Sequence, residues 1–197
     1  IRERQWGSLI GRINYADRIS FGQSIANGFQ YEAESYIYTS KNNYSHLSGA
    51  YSDDSVFPKI RLGYSFYQNF KNGWEGDLGI RYLKTQDGTE FKTAVAGVGK
   101  YLDSFWVNLR TFIQKENDEY YPAVTLTTRY YFDTRFDYIT LTSGYGSSPE
   151  ERTTLSQFKE RVSLNSYRMG AGYFKLFNNH YITGIQLTYN KQEYIRN

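Results

Sequence analysis

Few side chains in this sequence are equipped for catalysis. The 197 residues include no Cys and two His, His46 and His180. Thiolate chemistry, disulfides and Cys-based zinc sites are therefore excluded. Hydrolytic chemistry generally needs a His beside a nucleophile or a carboxylate. His46 shares a strand face with Ser48, and Glu32 and Glu34 fall on the preceding predicted strand, so a Ser-His-Glu set is conceivable. No Gly-x-Ser-x-Gly elbow accompanies it. His180 follows Asn178 and Asn179, where a turn is expected. Both His read as structural or solvated groups; no catalytic residue is assigned, and the expectation is a protein that is not an enzyme. The acidic groups Asp53-Asp54, Asn117-Asp118-Glu119 and Glu150-Glu151-Arg152 lack a full ligand set for a hard cation and read as solvated loops. No metal and no cofactor is expected. No Gly-rich turn opens a helix ahead of Lys-Ser or Lys-Thr, so there is no phosphate-binding loop. A net charge of +3 built from mixed signs gives no nucleic-acid footprint.

The remaining charges follow a different rule, a spacing of two. Eleven stretches alternate with strand periodicity, near 6–16, 28–39, 44–52, 59–67, 74–84, 90–101, 104–115, 120–132, 136–146, 162–175 and 180–191. Together they exceed half the chain, well above the strand content of ordinary soluble domains. In one of them Ile60, Leu62, Tyr64 and Phe66 oppose Arg61, Gly63, Ser65 and Tyr67. In others Trp74, Leu78, Ile80 and Tyr82 oppose Glu75, Asp77, Gly79 and Arg81, and Phe105, Val107, Leu109 and Ile113 oppose Asn108, Arg110 and Gln114.

Composition decides which face is inside. Mean hydropathy is −0.66, and no apolar run approaches the roughly 18 residues a spanning helix needs. Yet the chain holds 21 Tyr, 13 Phe and 3 Trp. On the apolar faces these rings gather at strand ends, with aliphatic residues between. Trp6, Tyr44, Phe66, Trp74, Tyr101, Phe105, Tyr173 and Tyr181 lie toward one end; Tyr15, Tyr31, Tyr51, Tyr82, Phe91 and Tyr189 lie toward the other. Two aromatic girdles around an aliphatic band match the interfaces of a bilayer. The expected fold is an all-β, antiparallel transmembrane barrel in a bacterial outer membrane, in contact with lipid and lipopolysaccharide. Connections alternate between short (Lys41–Asn43, Leu102-Asp103, Asp133–Arg135) and long or charged (Asp17–Asn27, Ser52–Pro58, Lys115–Glu119, Ser147–Arg161). Short turns belong to the periplasmic side and long loops to the outside.

Eleven strands is an odd number, whereas single-chain bacterial barrels have an even one. Residues 1–197 are thus expected to be a single barrel domain missing one or more terminal strands, with about 12–14 in the full protein. Ile1 to Gln5 read as the tail of an earlier strand.

With the apolar face outward, Arg12, Glu32, Glu34, Arg61, Glu75, Asp77, Arg81, Arg110, Arg129 and Arg168 point inward, because an Arg facing lipid near the midplane would cost about 2–4 kcal/mol. Two readings follow: a charged constriction that selects solutes, or a salt-bridged interior that holds a closed barrel together. Inward Tyr36, Tyr38, Trp106, Phe112 and Tyr131 either offer a stacking path for sugar rings or narrow the barrel.

Particular segments resemble the YaiO family of outer-membrane β-barrels. They are Trp6 to Ala16, Gln30-Tyr31-Glu32-Ala33-Glu34, Phe57-Pro58, Gly79 to Leu83, Gly99-Lys100-Tyr101, Arg129-Tyr130-Tyr131-Phe132 and Gly144 to Arg152, in order from Trp6 to Tyr194. The resemblance implies an outer-membrane barrel and carries over no catalytic residues. It also implies a loose association with surface-polysaccharide systems. The functions left open are a channel or exporter, and a structural or assembly subunit bound to other envelope proteins.

Overall fold

The computed structural model describes residues 2–4, 6–20, 22–116, 119–146, 166–178 and 181–192. His180, Asn117, Asp118, the 147–161 connection with Glu150-Glu151-Arg152, and the predicted strand start at 162 lie outside them.

Alternating faces demand an extended chain, and a run of such segments joined by tight turns pairs most readily with its neighbours in sequence. The result is one antiparallel meander of twelve strands in sequence order. These are β1 (Arg2–Arg4), β2 (Gly7–Ser20), β3 (Gln23–Tyr38), β4 (Asn43–Tyr51), β5 (Ile60–Asn69), β6 (Trp74–Lys84), β7 (Glu90–Leu102), β8 (Phe105–Glu116), β9 (Glu119–Tyr131), β10 (Tyr138–Tyr145), β11 (Ser166–Phe177) and β12 (Tyr181–Gln192). The only helical turn among the described residues is a 3-10 turn at Lys71–Gly73. The short β1 precedes the eleven expected strands, as the tail of a strand read at Ile1 to Gln5. Among the described residues β1 and β12 do not pair with each other. The sheet is therefore not closed.

The two faces are inverted relative to a soluble protein. Glu32, Glu34, Glu75, Asp77, Gln30, Asn108 and Gln114 are buried, while Ile13 is 70%, Leu78 67% and Leu187 72% exposed. Curvature does the burying: side chains from β2 to β6, β8 and β9 line one cavity on the polar face. Cross-strand register keeps the apolar face continuous, with Leu78 opposite Phe66 and Ala96, and Leu109 opposite Val98 and Leu126.

Three aromatic placements are corrected. Register puts Tyr44 opposite Tyr67, Phe91 opposite Leu83, and Tyr101 opposite Trp106, all on the polar face. Phe91 is only 1% exposed and packs on Leu83 and Tyr121. Tyr101 is exposed at the rim of that face, against Trp106 rather than lipid. Tyr15, Tyr31, Tyr51, Phe66, Trp74, Tyr82, Phe105, Tyr173, Tyr181 and Tyr189 share the apolar face by register. Trp6 is exposed in the turn before β2, and its carbonyl accepts from Tyr38 N.

The expected long loops are corrected too. Asp17 to Asn27 is strand almost throughout: β2 and β3 stay paired to Ser20 and Gln23, with a bulge at Arg18/Ile19. Gly22, at φ +78°, takes the left-handed conformation that the tight turn requires, and the Ser24 hydroxyl donates to Asp17 across the hairpin. Lys115 to Glu119 shrinks likewise, because Lys115 still pairs with Tyr120 and its ammonium lies 5.9 Å from that ring. About 9–11 residues suffice to cross a bilayer. β2 and β3, with 14 and 16 residues, therefore extend past that span as a hairpin.

Candidate functional site

The polar face is built from neighbouring strands that offer opposite charges at matching register. Arg12 on β2 lies opposite Glu32 on β3, and its Nη1 reaches Glu32 Oε1 at 2.7 Å and Glu34 Oε1 at 2.6 Å. Arg61, two strands further on, donates from Nη2 to Glu32 Oε2 at 3.2 Å and to Gln30 Oε1 at 3.0 Å. Asn14 adds a bond to Glu32 at 3.3 Å. Buried charge is tolerable only when paired and hydrogen-bonded in this way.

A second group forms further round the sheet, on β4, β5, β6 and β8. Arg110 on β8 donates from Nη2 to Asp77 Oδ1 on β6 and to the Tyr67 hydroxyl on β5, each at 3.1 Å. Tyr67 stacks on Tyr44 with ring centroids 4.5 Å apart, and the Tyr44 hydroxyl donates to Glu75 Oε2 at 3.3 Å. The Asp77 carboxylate lies directly over β7 because Gly97 is there; a Cβ on Gly97 would meet Asp77 Oδ1 at 2.2 Å. Arg81 instead donates to backbone, to Tyr64 O at 2.8 Å and Ile80 O at 3.0 Å.

Arg129 differs from these. Its guanidinium lies 5.0 Å from the Trp106 ring and 4.9 Å from the Tyr138 ring. What sets it apart is that it makes no ion pair among the described residues; its buried Nε also has no hydrogen-bond partner there. Arg168 contacts the Thr125 hydroxyl at 3.5 Å. Arg12, Arg61, Arg81, Arg110 and Arg129 line one cavity of about 390 Å³ with Glu32, Glu34, Tyr36, His46, Ser48 and Tyr67.

His46 stands in that wall. Its Nε2 is 3.9 Å from Glu34 Oε2 and its ring lies 4.5 Å from that of Tyr36. No hydrogen bond joins it to Ser48 among the described residues, so the Ser-His-Glu set is not assembled. The described residues also hold no cluster of three or more metal-ligating side chains.

Part of the interior is apolar, which alternation alone does not reveal. Leu83, Phe91 and Tyr121 form one patch, and Val95, Phe112 and Ala123 another. Phe112 is thus packed away from any stacking path, whereas Tyr36 stays on the cavity wall. At the same end the β4–β5 connection buries Val56, Phe57 and Pro58. Gln86 pins it by donating to the carbonyls of Ser52 (2.8 Å), Asp54 (3.2 Å) and Phe57 (3.3 Å). Phe57-Pro58 was visible as a motif; nothing in the local sequence marked Gln86.

Outward apolar strands around an ion-paired interior are the architecture of a barrel dissolved in lipid. The family model described as the YaiO membrane beta barrel domain matches residues 1–151. No curated protein and no solved structure matches the chain. That match covers most of the 197 residues, and the chain belongs to the YaiO membrane β-barrel family.

Proposed function

We propose that this protein is an outer-membrane channel or exporter whose interior favours anions. The observation that carries the reading is the five-arginine cavity, in which Arg129 has no carboxylate partner among the described residues. A low-dielectric wall strengthens the field of inward charges, so Arg129 attracts anions into the barrel. The projecting β2–β3 hairpin faces outside, toward lipopolysaccharide. A link to surface polysaccharide rests on the family resemblance alone and on no residue of this interior. The reading gives the protein no catalytic role.

Reversal potentials across planar bilayers under a KCl gradient test it. The wild type is expected to be anion-selective, and Arg110→Glu with Arg129→Glu to shift selectivity toward cations while the barrel stays folded by heat-modifiable gel mobility. Absence of ion current from a verifiably folded wild type removes the channel. A second reading then stands, a non-conducting subunit of an envelope complex. It is favoured by the buried Val56–Pro58 connection and the two apolar patches inside.

A further inference from the structure

We propose that the cavity is a binding site for a small ring-bearing solute that carries a carboxylate or phosphoryl group. The inference rests on the barrel reading above but not on conduction. The cavity measures about 390 Å³, within the ~300–1,000 Å³ that small-molecule sites occupy. Arg12, Arg61, Arg81, Arg110 and Arg129 line it; Glu32 and Glu34 stand in the same wall, and Asp77 and Glu75 lie beside Arg110 and Tyr44.

Arg129 locates the anion. The guanidinium is held between Trp106 and Tyr138, with a buried Nε that nothing in the described residues accepts. Aromatic faces offset part of the cost of burying a cation but leave its in-plane donors unused. Carboxylate and phosphoryl oxygens match that planar fork, and such charge-assisted bonds are the strong ones. Tyr36 contributes half-buried ring surface to the same wall, whereas the Tyr67 ring is already stacked on Tyr44. Arg110, already bonded to Asp77 and the Tyr67 hydroxyl, fixes a second positive centre nearby. A bare ion would use the arginines alone, whereas a ring with an attached oxyanion also meets the half-buried Tyr36 ring.

Equilibrium dialysis of the whole chain in detergent micelles at low ionic strength tests the site with glucuronate, glucose 6-phosphate, glucose and inorganic phosphate. Glucuronate or glucose 6-phosphate is expected to bind at least tenfold more tightly than glucose, and the tighter of the two identifies which oxyanion the site takes. Arg129→Gln should weaken that binding at least tenfold, Arg129→Lys less, and Lys41→Gln, exposed in the β3–β4 turn and outside the lining, not at all. Gel mobility verifies that each variant is folded. Equal binding of glucose overturns the proposal. So does unchanged binding in Arg129→Gln, or an equal loss in Lys41→Gln, which would mark diffuse charge attraction. Inorganic phosphate binding as tightly as glucose 6-phosphate overturns the role given to the Tyr36 ring. KCl conductance measured in parallel separates the two readings: current without probe binding removes the site alone, and probe binding without current removes the channel alone.

Discussion

Between β9 and β10 the chain reverses on a single carboxylate. Phe132 N donates to Asp137 O at 2.9 Å and Asp137 N to Thr134 O at 3.1 Å. The Thr134 hydroxyl donates to Asp137 Oδ2, and Leu176 N on β11 donates to Asp137 Oδ1 at 2.8 Å. The Thr134 bond first, and the Leu176 amide next, hold the carboxyl below its ordinary value. A depressed value stabilises the fold at pH values above the unfolded carboxyl's, and that stability is lost as pH falls through the folded one. Asp137→Asn can accept one of the two donors through its oxygen but not both. Its melting temperature should fall below wild type at neutral pH, and the gap should close as pH is lowered into the range where Asp137 protonates. A gap that persists unchanged at acid pH would mean that the carboxylate's charge has no part in the turn. The sequence showed a turn at Asp133-Thr134-Arg135 but not this staple, because its third partner is a backbone amide 39 residues away.

At the scale of the element, alternation was legible wherever one face was plainly apolar, as in β5, β6 and β8. It failed where both faces carried apolar residues. On β7 the odd positions hold Phe91, Val95 and Tyr101 and the even ones Ala94, Ala96 and Val98. Register with β6, which sets Leu83 opposite Phe91, turns the odd set inward. Tyr44 and Tyr51 on β4 carried their own warning: they are seven apart and cannot share a face of one strand. By sequence the β4–β5 connection is a charged outer loop, yet it buries Val56, Phe57 and Pro58. Ser52 Oγ donates to Phe29 O and Asp54 Oδ2 accepts from Phe29 N, each at 2.6 Å, so β3 holds one flank while Gln86 holds the other. Gln86→Ala should leave three loop carbonyls without that donor and free the connection while the strands stay paired. Trypsin cleavage after exposed Lys59 in the folded barrel should then run several-fold faster than in wild type. An unchanged rate would show that the β3 contacts alone keep the connection in place.

At the scale of the whole molecule, the polar interior and the apolar exterior are two consequences of one choice of solvent. In water an exposed aliphatic band of this extent would be an aggregation surface. In a bilayer it is the buried surface, and the strands still satisfy their backbone groups by pairing with neighbours. The aromatic ends of β6, Trp74 and Tyr82, bracket Leu78 and Ile80, so Leu78 sits near the middle of the span. Leu78→Arg places a charge there at a cost of about 2–4 kcal/mol, whereas Thr183→Arg, close to the Tyr181 end of β12, should cost about 0–1 kcal/mol. Urea unfolding in phospholipid vesicles, followed by heat-modifiable mobility, measures both. The depth dependence is the informative part: a soluble fold with a face covered by protein would penalise Leu78→Arg without needing lipid, and its wild type would stay folded when detergent is removed. Equal costs at the two positions, or a wild type stable and monodisperse in plain buffer, would sink the membrane reading and with it the inward assignment of every arginine discussed above.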